Sequence, residues 1–456
     1  MNKKEVAELK RLFHPDRTPI TRICGCYVDA EKNKKAKLKE AFLSLPEEEM
    51  FKYFDIFKKT LSGTIGRNLL NMEFPLQVTA PEGSSLQDSA PGLHAADAKS
   101  ALPGDVSGLP AADSETALSD AVSRLPASDS ESASSGTSAE NSFPFTQATD
   151  GGLQGFLMQL KGSGLKDDAL LDAFYDKVIE TFLYPENYYI ILIHGAYDIP
   201  RKASDGMEMF DASDDVYEFL LCSICPVQLS KPGLCYHEET NTISERIRDW
   251  FVEPPMTGFL FPAFTDRNAD IHGLLYYSKN PDELNADFAR LLLGCELPLT
   301  AGSQKDTFNT LITETLSDSC TYETVKNIHA SLNELLEEHK DDPDPVLLDK
   351  GDVKRLLSTS GADEETLTHF DEEFEQTAGS NQTELYVTNV TNTRKFEIKT
   401  PDIVITVKPE RADLIETRVI GGRLCFVIPA EDSVEVNGIP VKTGIAREAS
   451  DDDADF

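Results

Sequence analysis

The chain predicts an α+β fold: a helical N-terminal segment, a central mixed α+β domain with a largely antiparallel sheet, a helical connector and a small all-β C-terminal domain. Three patterns carry this expectation. Apolar residues recur at helical spacing near the start (Val6, Leu9, Leu12, Phe13, then Met50, Phe51, Phe54, Phe57, Leu61). The run Tyr188-Tyr-Ile-Ile-Leu-Ile-His194 is apolar on both faces, as a central strand must be. From Glu384 onward the apolar period drops to 2 between turn dipeptides. With 456 residues, 40% of them hydrophobic and 8% aromatic, the chain can build more than one core, which excludes wholesale disorder.

Charge divides the chain. The formal net charge is −36, from 43 Lys and Arg against 79 Asp and Glu. Residues 1–78 carry 15 basic and 11 acidic side chains, residues 79–150 carry 2 and 11, and residues 151–456 carry 26 and 57. In the middle piece 45 of 72 residues are Ser, Thr, Ala, Gly or Pro, so it lacks the apolar surface that would offset the entropy of ordering it. It reads as a disordered acidic linker. The expected organisation is a helical segment with one short strand (1–78), this linker (79–150), a central α+β domain (151–300), a helical region (301–380), an all-β domain (381–445) and an acidic tail (446–456).

Element by element, Pro15 ends the first helix by steric clash and loss of a donor. Ile20–Val28 reads as extended, and a basic helix is expected over residues 32–39 (Lys32, Lys34, Lys35, Lys37, Lys39). Ser44, Pro46 and Glu47 suggest a capping box for the next helix, which Gly63 stops. Helices are expected around Leu153–Leu160 and Leu170–Phe182, and strands at 216–225, 257–264 and 271–277, the last two as a hairpin. Asn280-Pro-Asp-Glu283 reads as a helix start that turns Phe288, Leu291 and Leu292 inward. Further helices follow at 304–316, 322–339, 353–357 and 364–374. The C-terminal strands are 396–399, 403–407, 418–420, 424–428 and 434–436, with Gly421-Gly422 and Asn437-Gly438 as tight turns.

Chemistry-bearing residues are few. Cys222-Ser-Ile-Cys225 with Cys235 and His237 is the metal candidate, since thiolate and imidazole suit tetrahedral zinc. Residues three apart on a strand point to opposite faces, however, and buried structural cysteines are the more ordinary occupants of such a run. Cys24-Gly-Cys26 would share one strand face without further ligands. His194, Asp198, Asp270 and His272 are the catalytic candidates, an acid–base set if they converge. The carboxylates Asp205, Glu208, Asp211, Asp214 and Asp215 do not follow EF-hand spacing and read as an exposed acidic loop. Gly63-Thr-Ile-Gly66 beside Lys58, Lys59 and Arg67 resembles a phosphate-approaching loop, though a helix stop and restart explain both glycines. No serine-hydrolase elbow, phosphate loop, His-Glu-x-x-His or dinucleotide fingerprint is present, and no cofactor is implied.

The stretches Ile20-Thr-Arg-Ile-Cys-Gly-Cys-Tyr-Val-Asp29, Leu61-Ser-Gly-Thr-Ile-Gly66, Ala203-Ser-Asp-Gly-Met-Glu208, Ile243–Trp250 and Asn392-Thr-Arg-Lys-Phe-Glu-Ile-Lys-Thr-Pro401 resemble a bacterial family described as a domain of unknown function. The likeness covers nearly the whole chain outside the linker and tail, and it implies no activity or site residue. A fainter likeness, to bacterial nucleoid-associated proteins, rests on the order of parts: a strand pair near Ile271, Leu293-Gly-Cys295, helices, then Lys395-Phe-Glu-Ile-Lys-Thr400.

Three functions compete on these grounds. The first is a cytosolic, non-enzymatic protein-interaction or scaffold role. The second is nucleic-acid association through the basic N-terminal segment, because phosphate contacts need positive surface. The third is an enzyme at His194, Asp270 and His272. Residues 1–10 lack the apolar core of a signal peptide, and no run reaches the ~18–20 apolar residues of a spanning helix. The expectation is therefore cytoplasmic, with reduced thiols and no membrane partner.

Overall fold

A computed structural model of the chain describes residues 1–75, 152–202, 208–209, 215–430 and 434–441. The linker, the tail and most of the acidic loop fall outside the described residues. The elements, in order, are α1 (Lys3–Arg11), β1 (Ile20–Val28), β2 (Lys34–Ala41), α2 (Glu47–Thr60), β3 (Leu69–Glu73), α3 (Gly152–Gly162), α4 (Asp168–Thr181), β4 (Tyr188–Asp198), the short pair β5 (Arg201–Lys202) and β6 (Glu208–Met209), then β7 (Val216–Leu229). Next come β8 (Leu234–His237), β9 (Thr242–Glu245), β10 (Trp250–Val252), β11 (Thr257–Phe261), β12 (Ala263–Thr265), β13 (Asn268–Asp270) and β14 (Gly273–Ser278). The helical region holds α5 (Ala301–Leu316), α6 (Tyr322–Glu338), β15 (Leu347–Leu348), α7 (Lys350–Thr359), α8 (Phe370–Ala378), β16 (Leu385–Tyr386) and α9 (Val387–Val390). The last elements are β17 (Phe396–Lys399), β18 (Val404–Val407), β19 (Glu416–Ile420), β20 (Arg423–Val427), β21 (Val434–Val436) and β22 (Ile439–Val441).

An eight-stranded antiparallel sheet organises the first half, in the order β2-β1-β4-β7-β11-β14-β3, with β10 paired to the far end of β7. Both its margins come from residues 1–75: β1 and β2 flank β4 on one side, and β3 pairs with β14 on the other. Strand alternation then builds two cores. Cys24, Cys26, Ile190, Leu192, Cys222, Phe259 and Tyr276 face α3, α4 and the π-helical turn Phe288–Leu293. Ile23, Ile191, Ile193, Phe219, Leu221 and Leu260 face α1 and α2, whose Leu9, Phe54 and Phe57 are fully buried against them. Helices on both faces are why Tyr188–Ile193 is apolar at every position.

The segment expected to be a basic helix is strand β2. Its lysines alternate along an edge and meet a helix of the opposite charge. Asp168, Asp172 and Asp176 lie at successive i, i+4 positions of α4. They pair with Lys39, Lys37 and Lys34 respectively, the last at 2.6 Å. A register shift at Tyr27/Val28 aligns Lys34 opposite Val28, keeping it on the same face as the other two. Lys32 donates to the Tyr184 carbonyl and lies 5.0 Å over the Tyr188 ring, and Lys35 pairs with Asp29 at 2.9 Å.

Other boundaries differ for local reasons. Ser44 donates to the Ala41 carbonyl in a 3-10 turn, so the expected capping box is absent; α2 starts behind Pro46, with Glu47, Glu48 and Glu49 facing the positive end of its dipole. The box forms instead at α1, where Asn2 and Glu5 satisfy each other's backbone N–H groups. Pro262, which has no N–H to donate, separates β11 from β12 in what reads as one strand. The wider π turn buries Phe288, Ala289, Leu292 and Leu293, leaving Leu291 outward.

The helical region has its own core of Phe308, Leu311, Leu332, Val353, Leu357, Phe374 and Leu385. Gln304 links it inward: its Oε1 accepts from Tyr386 N and Asn389 Nδ2, both at 3.0 Å, and Asn389 Nδ2 also donates to the Gly66 carbonyl at 2.8 Å. The C-terminal strands form three separate hairpins, β17–β18, β19–β20 and β21–β22. Gly421, Gly422, Asn437 and Gly438 all take the positive φ that the sequence implies for two of the turns. Tyr322 on α6 anchors two hairpins, with Phe426 at 5.3 Å and Phe396 at 6.2 Å between ring centroids.

Candidate functional site

The catalytic candidates are dispersed. His194 is buried on β4 opposite Leu220, its Nδ1 2.7 Å from Thr21 Oγ1, and burial lowers its pKa against an opposing influence from Glu218. Asp198 is exposed four residues along the same strand, roughly 13 Å away at the rise of an extended chain. Asp270 accepts the His272 N–H at 3.0 Å in the turn entering β14. That strand is separated from β4 by β7 and β11, so His194 and His272 sit about three strand spacings, ~14 Å, apart. Direct proton transfer needs heavy atoms at hydrogen-bond distance, which this layout does not supply.

The metal candidates divide in the same way. Cys222 lies in the core layer under α4 and Cys225 in the layer under α2. Burial pushes both thiols far up. Cys235 and His237 share one face of β8, with Sγ and Nε2 3.3 Å apart. Among the described residues no three His, Cys, Asp or Glu side chains are grouped to hold a metal ion. All eight cysteines are free; burial pushes Cys24 and Cys26 to about 11 and Cys295 to about 12. Since the thiolate is the reactive form, native titration with a disulfide reagent should count three rapid thiols, Cys235, Cys320 and Cys425, and the full eight only in denaturant. Rapid labelling of Cys222 or Cys225 would contradict the closed sheet.

The Gly63–Gly66 loop is covered over its second half. Gly63 and Thr64 are exposed, but Ile65 and Gly66 are buried; a Cβ on Gly66 would lie 2.4 Å from the Tyr386 ring, and the Gly66 carbonyl is held by Asn389 of the helical region. A cleft of about 980 Å³ opens beside α1 and the β12–β13 turn. Two of its carboxylates are engaged: Glu5 accepts from Asp266 N at 2.7 Å, and Glu8 accepts from Tyr197 Oη at 2.9 Å and pairs with Arg267 at 3.0 Å.

One surface went unread in the sequence. β7 runs past the sheet and leads into the β8–β9 ribbon and β10. Alternation puts Leu234, Tyr236 and Ile243 on one ribbon face and Cys235, His237, Thr242 and Ser244 on the other. Leu234, Tyr236, Ile243, Ile247, Trp250, Phe251 and Val252 are all exposed, Trp250, the only tryptophan of the chain, by 57%. Beside β10 an apolar groove of about 350 Å³ is lined by Tyr27, Leu38, Tyr189, Val227, Trp250 and Val252. The missed signal was the period-2 pattern of Leu234, Tyr236 and Ile243 around a turn.

A model of the family DUF4317, a domain of unknown function, matches residues 1–91 and 138–439. The chain belongs to this family. The match spans the whole sheet, both helical layers, the helical region and almost all of the C-terminal hairpins, so the ribbon and groove lie within the family's own domain. No curated protein matches the chain.

Proposed function

We propose that the chain is a cytosolic protein-interaction or scaffold module that docks its partner on the β8–β10 ribbon and the adjoining groove. The observation that carries this reading is the exposure of seven large apolar side chains between Leu234 and Val252. A monomeric surface rarely leaves contiguous apolar patches beyond a few hundred Å² without a use for them, and Trp and Tyr are the residues that dominate interface energetics. The nucleic-acid alternative loses its best support, because Lys32, Lys34, Lys35, Lys37 and Lys39 are engaged within the chain. Among the described residues no helix is long and apolar enough to cross a membrane.

A photo-crosslinking amino acid placed at Tyr236 in the expressing cell tests this. Irradiation should yield discrete protein adducts, and the same probe at an exposed, charged position such as Glu337 should yield none. Absence of any protein adduct at Tyr236 overturns the reading.

A further inference from the structure

Resting on that assignment of the docking surface, we propose that its partner is a second copy of this chain, joined through a two-fold interface in which each ribbon lies in the other copy's groove. The area argues for it first. The seven side chains are between 43% and 77% exposed. Strand alternation turns Phe251 away from Trp250 and Val252; the other six, at roughly 150–250 Å² for a large side chain, leave on the order of 700 Å² of apolar surface in water, close to what each partner gives to a standard interface. Patches on soluble monomers rarely exceed ~300–600 Å².

Shape argues for it next. One copy carries both an apolar ribbon face (Leu234, Tyr236, Ile243) and an apolar groove (Tyr27, Leu38, Tyr189, Val227) whose wall includes Trp250 and Val252. A two-fold axis brings the ribbon of each copy to the groove of the other, the self-complementarity an isologous contact requires. The ribbon also needs permanent cover. Among the described residues β8 and β9 pair as strands only with each other, and a lone two-stranded hairpin is marginal in water. A second copy is always present in matching amount.

Charge sets the sign of the salt effect. Each copy carries −36, so long-range repulsion opposes association and added salt screens it. A basic protein or a nucleic acid would respond in the opposite direction.

The full-length protein should sediment at twice its 50.4 kDa mass, and, as the only tryptophan, Trp250 reports the interface directly. On dilution towards the monomer its emission should shift to the red and its quenching by acrylamide should rise at least ~3-fold, as expected when a buried interface aromatic is released. Tyr236→Lys with Ile243→Lys should weaken association by about 30-fold or more while circular dichroism stays native; Val419→Lys, on an exposed C-terminal hairpin, should leave it intact. Raising salt from about 50 to 500 mM should tighten the dimer. A monomer at all concentrations with freely quenched Trp250, a dimer indifferent to the double substitution, or one that salt dissociates overturns the proposal. A monomer that still crosslinks to a foreign protein at Tyr236 rejects the second copy and leaves the docking surface standing.

Discussion

Gly258→Val should abolish the native fold or lower its stability by more than about 4 kcal/mol, at the extreme of what single substitutions do. Gly258 sits on β11 opposite Ser223, with Thr60 of α2 packed against it. A Cβ there would be 2.3 Å from the Cys222 carbonyl oxygen and 2.8 Å from Thr60 Cγ2. The first of these is backbone in a paired central strand and cannot rotate away. Relief requires β7 and β11 to separate, which breaks the ladder, and α2 to lift, which opens the hydrogen bond of 2.7 Å between Thr60 and Ser223 inside the core. Gly233→Val is the control, because nothing lies within 4 Å of its Cβ. Thermal melts of the two variants, read by circular dichroism, decide the matter: Gly258→Val melting within about 2 °C of the parent, less than 1 kcal/mol for a domain of this size, would show that α2 does not press on β11.

The second large effect concerns the first 75 residues. A chain cut by an inserted protease site between residues 100 and 110 should stay assembled, with residues 1–75 released only in denaturant. Those residues contribute β1, β2 and β3 to one continuous sheet and cover one of its faces with α1 and α2. Hydrogen bonds from this segment to the rest of the chain add direction: Glu5 accepts from Asp266 N at 2.7 Å, and Lys3 N donates to the Pro343 carbonyl at 3.1 Å. Deleting 1–75 should leave β4 and β14 as bare edges beside an uncovered apolar face, a combination that aggregates. Clean separation of the cut pieces in native buffer, with residues 152–441 still folded, would overturn this arrangement.

Much of the architecture was legible. The doubly apolar run of β4, the paired glycines at 421–422, Asn437-Gly438 and the helical stripes of α2, α4, α5 and α6 all state their structure within a window of a few residues. The lysine-rich stretch misled because lysines at 32, 35 and 39 satisfy a helical spacing while those at 35, 37 and 39 satisfy a strand. What chose between them is Asp168, Asp172 and Asp176 on α4, more than 120 residues away. Of the candidate site, the residues that drew notice as chemistry turned out to be packing: Cys222 and Cys225 line opposite cores, and His194 is held by Thr21. On the ribbon at 234–252 Cys235 and His237 drew notice but its apolar residues drew none, because exposed Leu, Ile and Trp carry the same letters as buried ones and only the fold tells which are left in water.

By itself, then, the sequence determined the α+β class, the main helices and strands, the hairpin turns, the absence of the common catalytic fingerprints and the family resemblance, all set by short-range periodicity, steric limits at Gly and Pro, or residues in fixed order. Tertiary structure decided which strands are neighbours, that residues 1–75 form both margins of the sheet, that the basic strand is neutralised by α4, and that the apolar side chains around Trp250, like those of the C-terminal hairpins, are left in water. Those outcomes depend on burying two sheet faces and cancelling charges between segments far apart in the chain, and no local window contains both partners.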